Sequence, residues 1–232
     1  MEHPILFRGT MIRAILDGKK TQTRRIIKPQ PKNANSWIYH SDYFDNSNGA
    51  FYPDTVNAEP KLLKSPYGYK GDYLWVRESL RRYKKLEFII GENLAGEGYD
   101  KWTAQYMATN TPVPYKEGAK EGWCGTALWQ WKNTACPSIH MPKWASRITL
   151  EITNVRVEQL QDITNKDAME EGVLKWYYEV QYDENSFSYW SPVNGSGASS
   201  KFSEMWNSTN GKTKYSWDNN PWVWVIEFKS FN

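Results

Sequence analysis

Eight cations fall within residues 8–32: Arg8, Arg13, Lys19, Lys20, Arg24, Arg25, Lys28 and Lys32, against one carboxylate, Asp17. This segment carries +7 where the whole chain carries +3, so the remaining residues sum to −4. Cations at this density hold phosphates or acidic partners. Two hydroxyls, Thr21 and Thr23, are interleaved with them. A threonine hydroxyl is a weak nucleophile until a neighbouring base takes its proton. A lysine is such a base only where burial or nearby cations pull its pKa down, and Lys19, Arg24 and Arg25 are close enough in sequence to supply that field. If residues 20–25 run extended, Thr21 and Thr23 face one side and Lys20 the other. If they turn off a helix end, Lys20 and Thr23 can meet. The competing reading is a plain solvated basic face.

Other chemistry-bearing residues are sparser. Cys124, Cys136 and His140 are zinc-ligand types, but no CxxC knuckle and no fourth ligand accompany them, so no metal site is expected. His3 and His40 have no evident partner. There is no GxGxxG, GxxxxGK[ST], HExxH or GxSxG motif, which argues against the familiar nucleotide-cofactor and hydrolase folds.

The elements that must position these groups follow from pattern. Residues 10–17 read as a short helix with Thr10 as cap, Ile12, Ile15 and Leu16 as an apolar stripe, and Gly18 as the left-handed residue beyond it. Ile26-Ile27 reads as the start of a strand. Gly71-Asp72 is a turn, and Tyr73–Glu78 alternates like a strand. Residues 145–160 give the clearest strand, through Ile148, Leu150 and Ile152. Its phase shifts at Thr153-Asn154, which predicts a bulge or tight turn before Val155 and Val157. Thr164 with Asp167 forms a capping box for a helix of about two turns that Gly172 closes. Ser200 is the expected cap of a helix carrying Phe202, Met205 and Trp206 and ending near Asn210-Gly211. Trp222–Phe228 is apolar on both faces and predicts a central terminal strand. Stretches at about 29–66, 84–135 and 183–200 read as three large insertions in a single domain over 1–232. The expected fold class is α+β, a small mixed β-barrel with short flanking helices.

Composition narrows the class further. Aromatics make up 16% of residues, with 13 Trp against 8 Phe, which suffices to order the bulk of the chain. Trp75, Trp222 and Trp224 fall in strands and are expected in the core. Trp37, Trp102, Trp123, Trp129 and Trp131 fall in insertions, where they either stack on bases or hold long loops down. Apolar runs such as Trp222–Ile226 are far shorter than the about 20 residues a bilayer span takes. No signal-peptide core is evident, and two cysteines are not a disulfide framework, so a cytosolic compartment and no membrane partner are expected.

The run Ile15-Leu16-Asp17-Gly18-Lys19-Lys20-Thr21-Gln22-Thr23-Arg24-Arg25 resembles the ASCH domain family of PUA-like β-barrels, in which a helix ending in Gly precedes Lys-Thr-x-Thr-x-Arg. Gly71-Asp72-x-Leu74-Trp75-Val76 looks like the family's Gly-Asp-x-Leu-x-Val strand. Ile148–Leu160 with the Thr164 helix, and Val225-Ile226-Glu227-Phe228, look like its central and final strands. The match covers roughly 100 residues and none of the insertions. The long form, with Ser138-Ile139-His140-Met141-Pro142-Lys143-Trp144-Ala145, resembles ASCH-like proteins of temperate phages and prophages, which places it in a bacterial host cytosol.

The resemblance implies an amidohydrolase-like hydrolase acting on N4-acetylcytidine or another acylated or modified cytosine. The family's catalytic Lys falls on Lys20, its Thr on Thr23, and its Glu best on Glu171, with Glu170 adjacent. In that reading Thr23, or a water it orients, attacks the acyl carbon and Lys20 is the base. Glu171, at a helix C-terminus where the dipole raises a carboxyl's pKa, protonates the leaving nitrogen. Lys19, Thr21, Arg24 and Arg25 are the expected contacts to substrate or nucleic acid, with His140 and Trp144 lining the same pocket. No cofactor is implied, and the partner is a nucleoside or a nucleic acid, RNA rather than DNA. A non-catalytic reader of RNA or modified DNA, a ribonuclease, and a phage assembly or host-interaction protein remain as alternatives.

Overall fold

A computed structural model describes residues 1–31, 37–40, 50–53, 63–85, 102–114, 131–173 and 197–231. The architecture is mixed α+β with few helices. Its largest sheet contains β1 (Glu2–Leu6), β2 (Gln22–Ile26), β5 (Tyr73–Arg77), β9 (Thr149–Gln159) and β10 (Trp222–Phe231) in the order β1-β5-β9-β10-β2. Among the described strands no further pairing closes this order into a barrel. A hairpin pairs β3 (Trp37–His40) with β4 (Ala50–Pro53), and a third sheet runs β7-β6-β8, from β6 (Leu80–Lys85), β7 (Trp102–Tyr106) and β8 (Ala135–Cys136). The stretches expected as insertions at 29–66 and 84–135 therefore carry strands of their own. Most of 183–200 lies outside the described residues. The chain divides into two compact units: Met1–His3, Ala14–Leu74 and Thr149–Asn232 form the first, and Pro4–Arg13 and Trp75–Ile148 the second.

In the first unit β10 is central. It pairs antiparallel with β9 on one side and β2 on the other. Glu227 is opposite Asn154 and Phe228 opposite Ile152, so Thr153 is the extra residue of a bulge, where the phase shift in the sequence predicts one. One face of β10, Val223 and Val225, packs with Leu160, Ile163, Phe202 and Trp206 under α2 (Asn165–Glu170) and α3 (Ala198–Asn210). Each fully buried side chain of this kind contributes roughly 1.5–3 kcal/mol. The other face carries Trp224 and Ile226, both buried, and Trp222 is buried as well.

Two expected caps move. Helix α1 spans Gly9–Leu16, so Thr10 lies inside its first turn, and the Ile12 amide donates to the Arg8 carbonyl. Helix α3 follows Gly197 in the left-handed conformation, so Ser200 is inside it. Serine or threonine near a helix start signals the end only to within a few residues. The capping box at α2 forms as expected: the Thr164 hydroxyl accepts from the Asp167 amide while the Asp167 carboxylate accepts from Thr164. The strand expected from Ile26 on instead ends there, and its body is the basic run Gln22–Ile26 itself.

The second unit packs Leu80, Ala104, Tyr106, Val113, Met141 and Ala145 into its own core. Arg147 makes a two-pronged ion pair with Glu78, at 2.8 and 3.0 Å. Its guanidinium lies 3.9 Å from the Tyr106 ring centre, and the Tyr106 hydroxyl donates to the Ala145 carbonyl at 2.8 Å. Trp75, expected in the core, is half-buried with the Arg77 guanidinium 5.1 Å from its ring. Among the described residues no helix is long and apolar enough to cross a membrane.

Candidate functional site

The site is assembled at the junction of α1 and β2. Gly18 takes φ +67 and ends α1, and the amides of Lys19 and Lys20 both donate to the Ala14 carbonyl. This tight exit turns Lys20 inward and leaves Lys19 exposed. The Thr21 amide then donates to the Glu170 carbonyl, which ties the start of β2 to the end of α2. Gly172 at φ +85 lets the chain leave α2 beside Lys20: a Cβ there would stand 3.3 Å from the Lys20 Cβ and 3.2 Å from that of Ala14.

The two anchored ends meet in a buried pair. Lys20 Nζ donates to Glu171 Oε2 at 2.6 Å and to the Glu171 carbonyl at 2.9 Å. Both residues are almost wholly buried, at 2% and 4% exposure. Arg24 Nη1 lies 3.5 Å from Glu171 Oε1, an oxygen that no hydrogen bond reaches among the described residues. Desolvation lowers the Lys20 pKa below 10.5. Glu171 pulls against this, and the positive fields of Arg25 and Arg24 add to it. Burial likewise lowers that of Arg25, opposed by Tyr67 and Glu171, yet a guanidinium stays charged.

Strand alternation sorts the rest of the basic run. Gln22, Arg24 and Ile26 face the helices, and Thr23 and Arg25 face the other side. Arg24 is buried in a carboxylate cage: Nη1 donates to Gln22 Oε1 at 2.5 Å and Nη2 to Glu158 at 3.2 Å, with Asp167 at 3.5 Å. Its guanidinium lies 5.8 Å from the Phe202 ring centre. Asp167 also accepts from Gln22 and from Arg156. Burial alone would raise the Asp167 pKa, but the Thr164 hydroxyl and amide, Gln22 and Arg24 bring it down to about 2. Thr23 is buried opposite Ile226 and Arg25 is half-buried opposite Trp224.

The structure thus brings together Lys20, Glu171, Arg24 and Arg25, and separates Glu171, on the lysine, from Glu170, which accepts from Gln22 at 3.3 Å. Thr21 is exposed. His140 and Trp144 belong to the second unit and are exposed. There His140 stacks on Trp131 at 4.7 Å. Trp123, Trp129 and Cys124, and the side chains of Trp37 and Trp102, lie outside the described residues. Cys136 is buried, with its thiol pKa raised by desolvation, and no group of three His, Cys, Asp or Glu among the described residues is placed to hold a metal. Sequence reasoning missed Gln22 and Glu158. Period-2 counting from Thr23 would have put Gln22 beside Arg24, but nothing local marks Glu158.

The same unit holds a cavity of about 440 Å³ just past the cluster, lined by Ile26, Ile27, Lys28, Lys64, Tyr67 and Trp224 among others. Comparison of the chain with protein-family models, with curated proteins and with solved structures finds no match.

Proposed function

We propose that the chain is a PUA-like, ASCH-type enzyme that removes the acyl group from an acylated or similarly modified cytosine, in a nucleoside or in RNA. The observation that carries this reading is the buried Lys20–Glu171 pair, whose lysine has a lowered pKa and two arginines at its flank. Moving one proton across that 2.6 Å bond gives an amine and a carboxylic acid, the base and the acid that the reaction needs. A water relays the proton of the Thr23 hydroxyl, which faces away from the helices, to the amine as its oxygen attacks the acyl carbon. The acid gives its proton to the exocyclic nitrogen as the carbon–nitrogen bond breaks. Water then cleaves the acyl-threonine ester and the proton returns. Arg25 steadies the developing oxyanion.

The test is a single-turnover assay with N4-acetylcytidine. Release of cytidine by the native chain, lost in Lys20→Ala and in Thr23→Ala, supports the reading. Unchanged activity in those variants, or no consumption of any N-acyl nucleoside, overturns it.

A second reading, a non-catalytic nucleic-acid-binding module, is favoured by the depth of the cluster, since Lys20, Thr23, Arg24 and Glu171 are all buried. Salt-dependent oligonucleotide binding without turnover would select it.

A further inference from the structure

The cavity beside the cluster has a divided lining. Ile27 and Trp224, both buried, make an apolar floor, and the half-buried Ile26 lies at its edge. Lys28 and Lys64 are exposed at its rim, and the half-buried Tyr67 stands beside them. Among the described residues no carboxylate lines it. A third ammonium group is close by: Lys28 and Lys214 both lie over the Tyr215 ring, at 5.2 and 5.4 Å. An apolar floor that includes Trp224, with Tyr67 and two lysines at the rim, fits a ligand that joins a ring to an anionic group. The volume is that of an ordinary small-ligand site.

The cavity is also connected to the buried pair. Arg25 sits directly opposite Trp224 in the β2–β10 register and two residues before Ile27 on the same strand face. Its guanidinium interacts electrostatically both with Tyr67, which lines the cavity, and with Glu171 of the buried pair. A ring lying on Trp224 and Tyr67 would therefore have its far edge toward Arg25 and its anionic end toward Lys28 and Lys64.

We infer that this cavity binds a nucleotide unit rather than a bare nucleoside, with the base on Trp224 and Tyr67 and the phosphate held by Lys28 and Lys64. The choice of cytosine as the base rests on the function proposed above; the requirement for a phosphate does not. Lys28 belongs to the basic run read from the sequence, whereas Lys64 was not singled out by type or spacing and acquires its meaning only from the cavity.

The test uses the full chain and measures binding of cytidine, cytidine 5′-monophosphate, inorganic phosphate and a short oligocytidylate RNA by calorimetry. The native protein is expected to bind the monophosphate or the oligomer about tenfold or more tightly than cytidine. The double variant Lys28→Gln/Lys64→Gln, altered only at exposed positions, is expected to bring that ratio to about one while cytidine binding stays unchanged. Preference for the monophosphate assigns a terminal phosphate, and preference for the oligomer a phosphodiester; both support the inference. Equal affinity for cytidine and both phosphorylated ligands, inorganic phosphate binding as tightly as the monophosphate, or a ratio untouched by the double variant would each overturn it. A ratio that holds while no acyl nucleoside is consumed leaves this inference standing and removes only the hydrolase reading.

Discussion

Each unit of this chain buries an ion pair, and the two pairs are built to different ends. Arg147 and Glu78 match fork to fork, so both carboxylate oxygens receive hydrogen bonds and the guanidinium is stacked on Tyr106. Lys20 and Glu171 match at one oxygen only. The other oxygen receives no hydrogen bond among the described residues, with Arg24 at 3.5 Å from it, and two further cations act on the amine. A satisfied bidentate pair fixes a local structure. A pair with excess positive field and an underused acceptor is the arrangement that the proposed proton transfer needs. The difference lies in charge balance and hydrogen-bond satisfaction, since both carboxylates are equally deep, at 2% and 4% exposure.

The comparison can be broken experimentally, most severely at the reactive pair. Lys20→Ala and Glu171→Gln are expected to lower single-turnover deacylation by about 10²–10⁴-fold. Arg147→Ala should leave that rate unchanged in the fraction that remains folded. It strands the Glu78 carboxylate instead, at a cost of about 3 kcal/mol in urea denaturation. Equal loss of activity in both would erase the distinction.

The pH dependence of stability sharpens the contrast, because the signs oppose. The folded pKa of Lys20 is depressed, so the unfolded chain binds more protons between that value and 10.5, and stability rises with pH across this alkaline window. Desolvation raises the Glu78 pKa above 4.5 despite Arg147, so its contribution is full below 4.5 and is lost as pH rises through the folded value. Thermal melts of native protein and of Lys20→Met should differ in slope in the alkaline window and run parallel near pH 5.

Two smaller effects probe the frame of the reactive pair. Gly172→Ala forces a Cβ to 3.3 Å from the Lys20 Cβ at a positive φ. It should cost about 1–2 kcal/mol and reduce activity more than stability. Thr164→Ala removes the cap hydroxyl on Asp167 and should cost about 1 kcal/mol with activity retained.

Parts of this arrangement were legible in the sequence because their causes are local. The Thr164–Asp167 box, the glycines after both helices, the Thr153 bulge and the apolar last strand each depend on a few adjacent residues. Strand β2 was not legible as a strand, because hydrophobic alternation is the usual signal and its inward residues are Gln22 and Arg24, made tolerable inside by the carboxylates of Asp167, Glu158, Glu170 and Glu171. The strands around Leu80 and Trp102 were hidden for a related reason: Leu80–Lys85 is mostly basic and reads as a loop. Lys20 and Glu171 were named through a family pattern, but their contact spans 151 positions, and no local rule reports such a meeting.

The position of β10 has a consequence for how the protein is made. Strands β2 and β9 are not neighbours; each pairs with β10, which is the last strand in the order. A ribosome-bound chain that has not yet released Trp222–Phe231 lacks the strand that joins β2 to β9. The burial that gives Lys20 its altered proton affinity is thus expected only after the final strand is inserted. Contacts of such long sequence separation form slowly. Nascent protein should lack the proposed activity until Trp222–Phe231 has emerged, and removing that strand should abolish it without touching a single residue of the cluster.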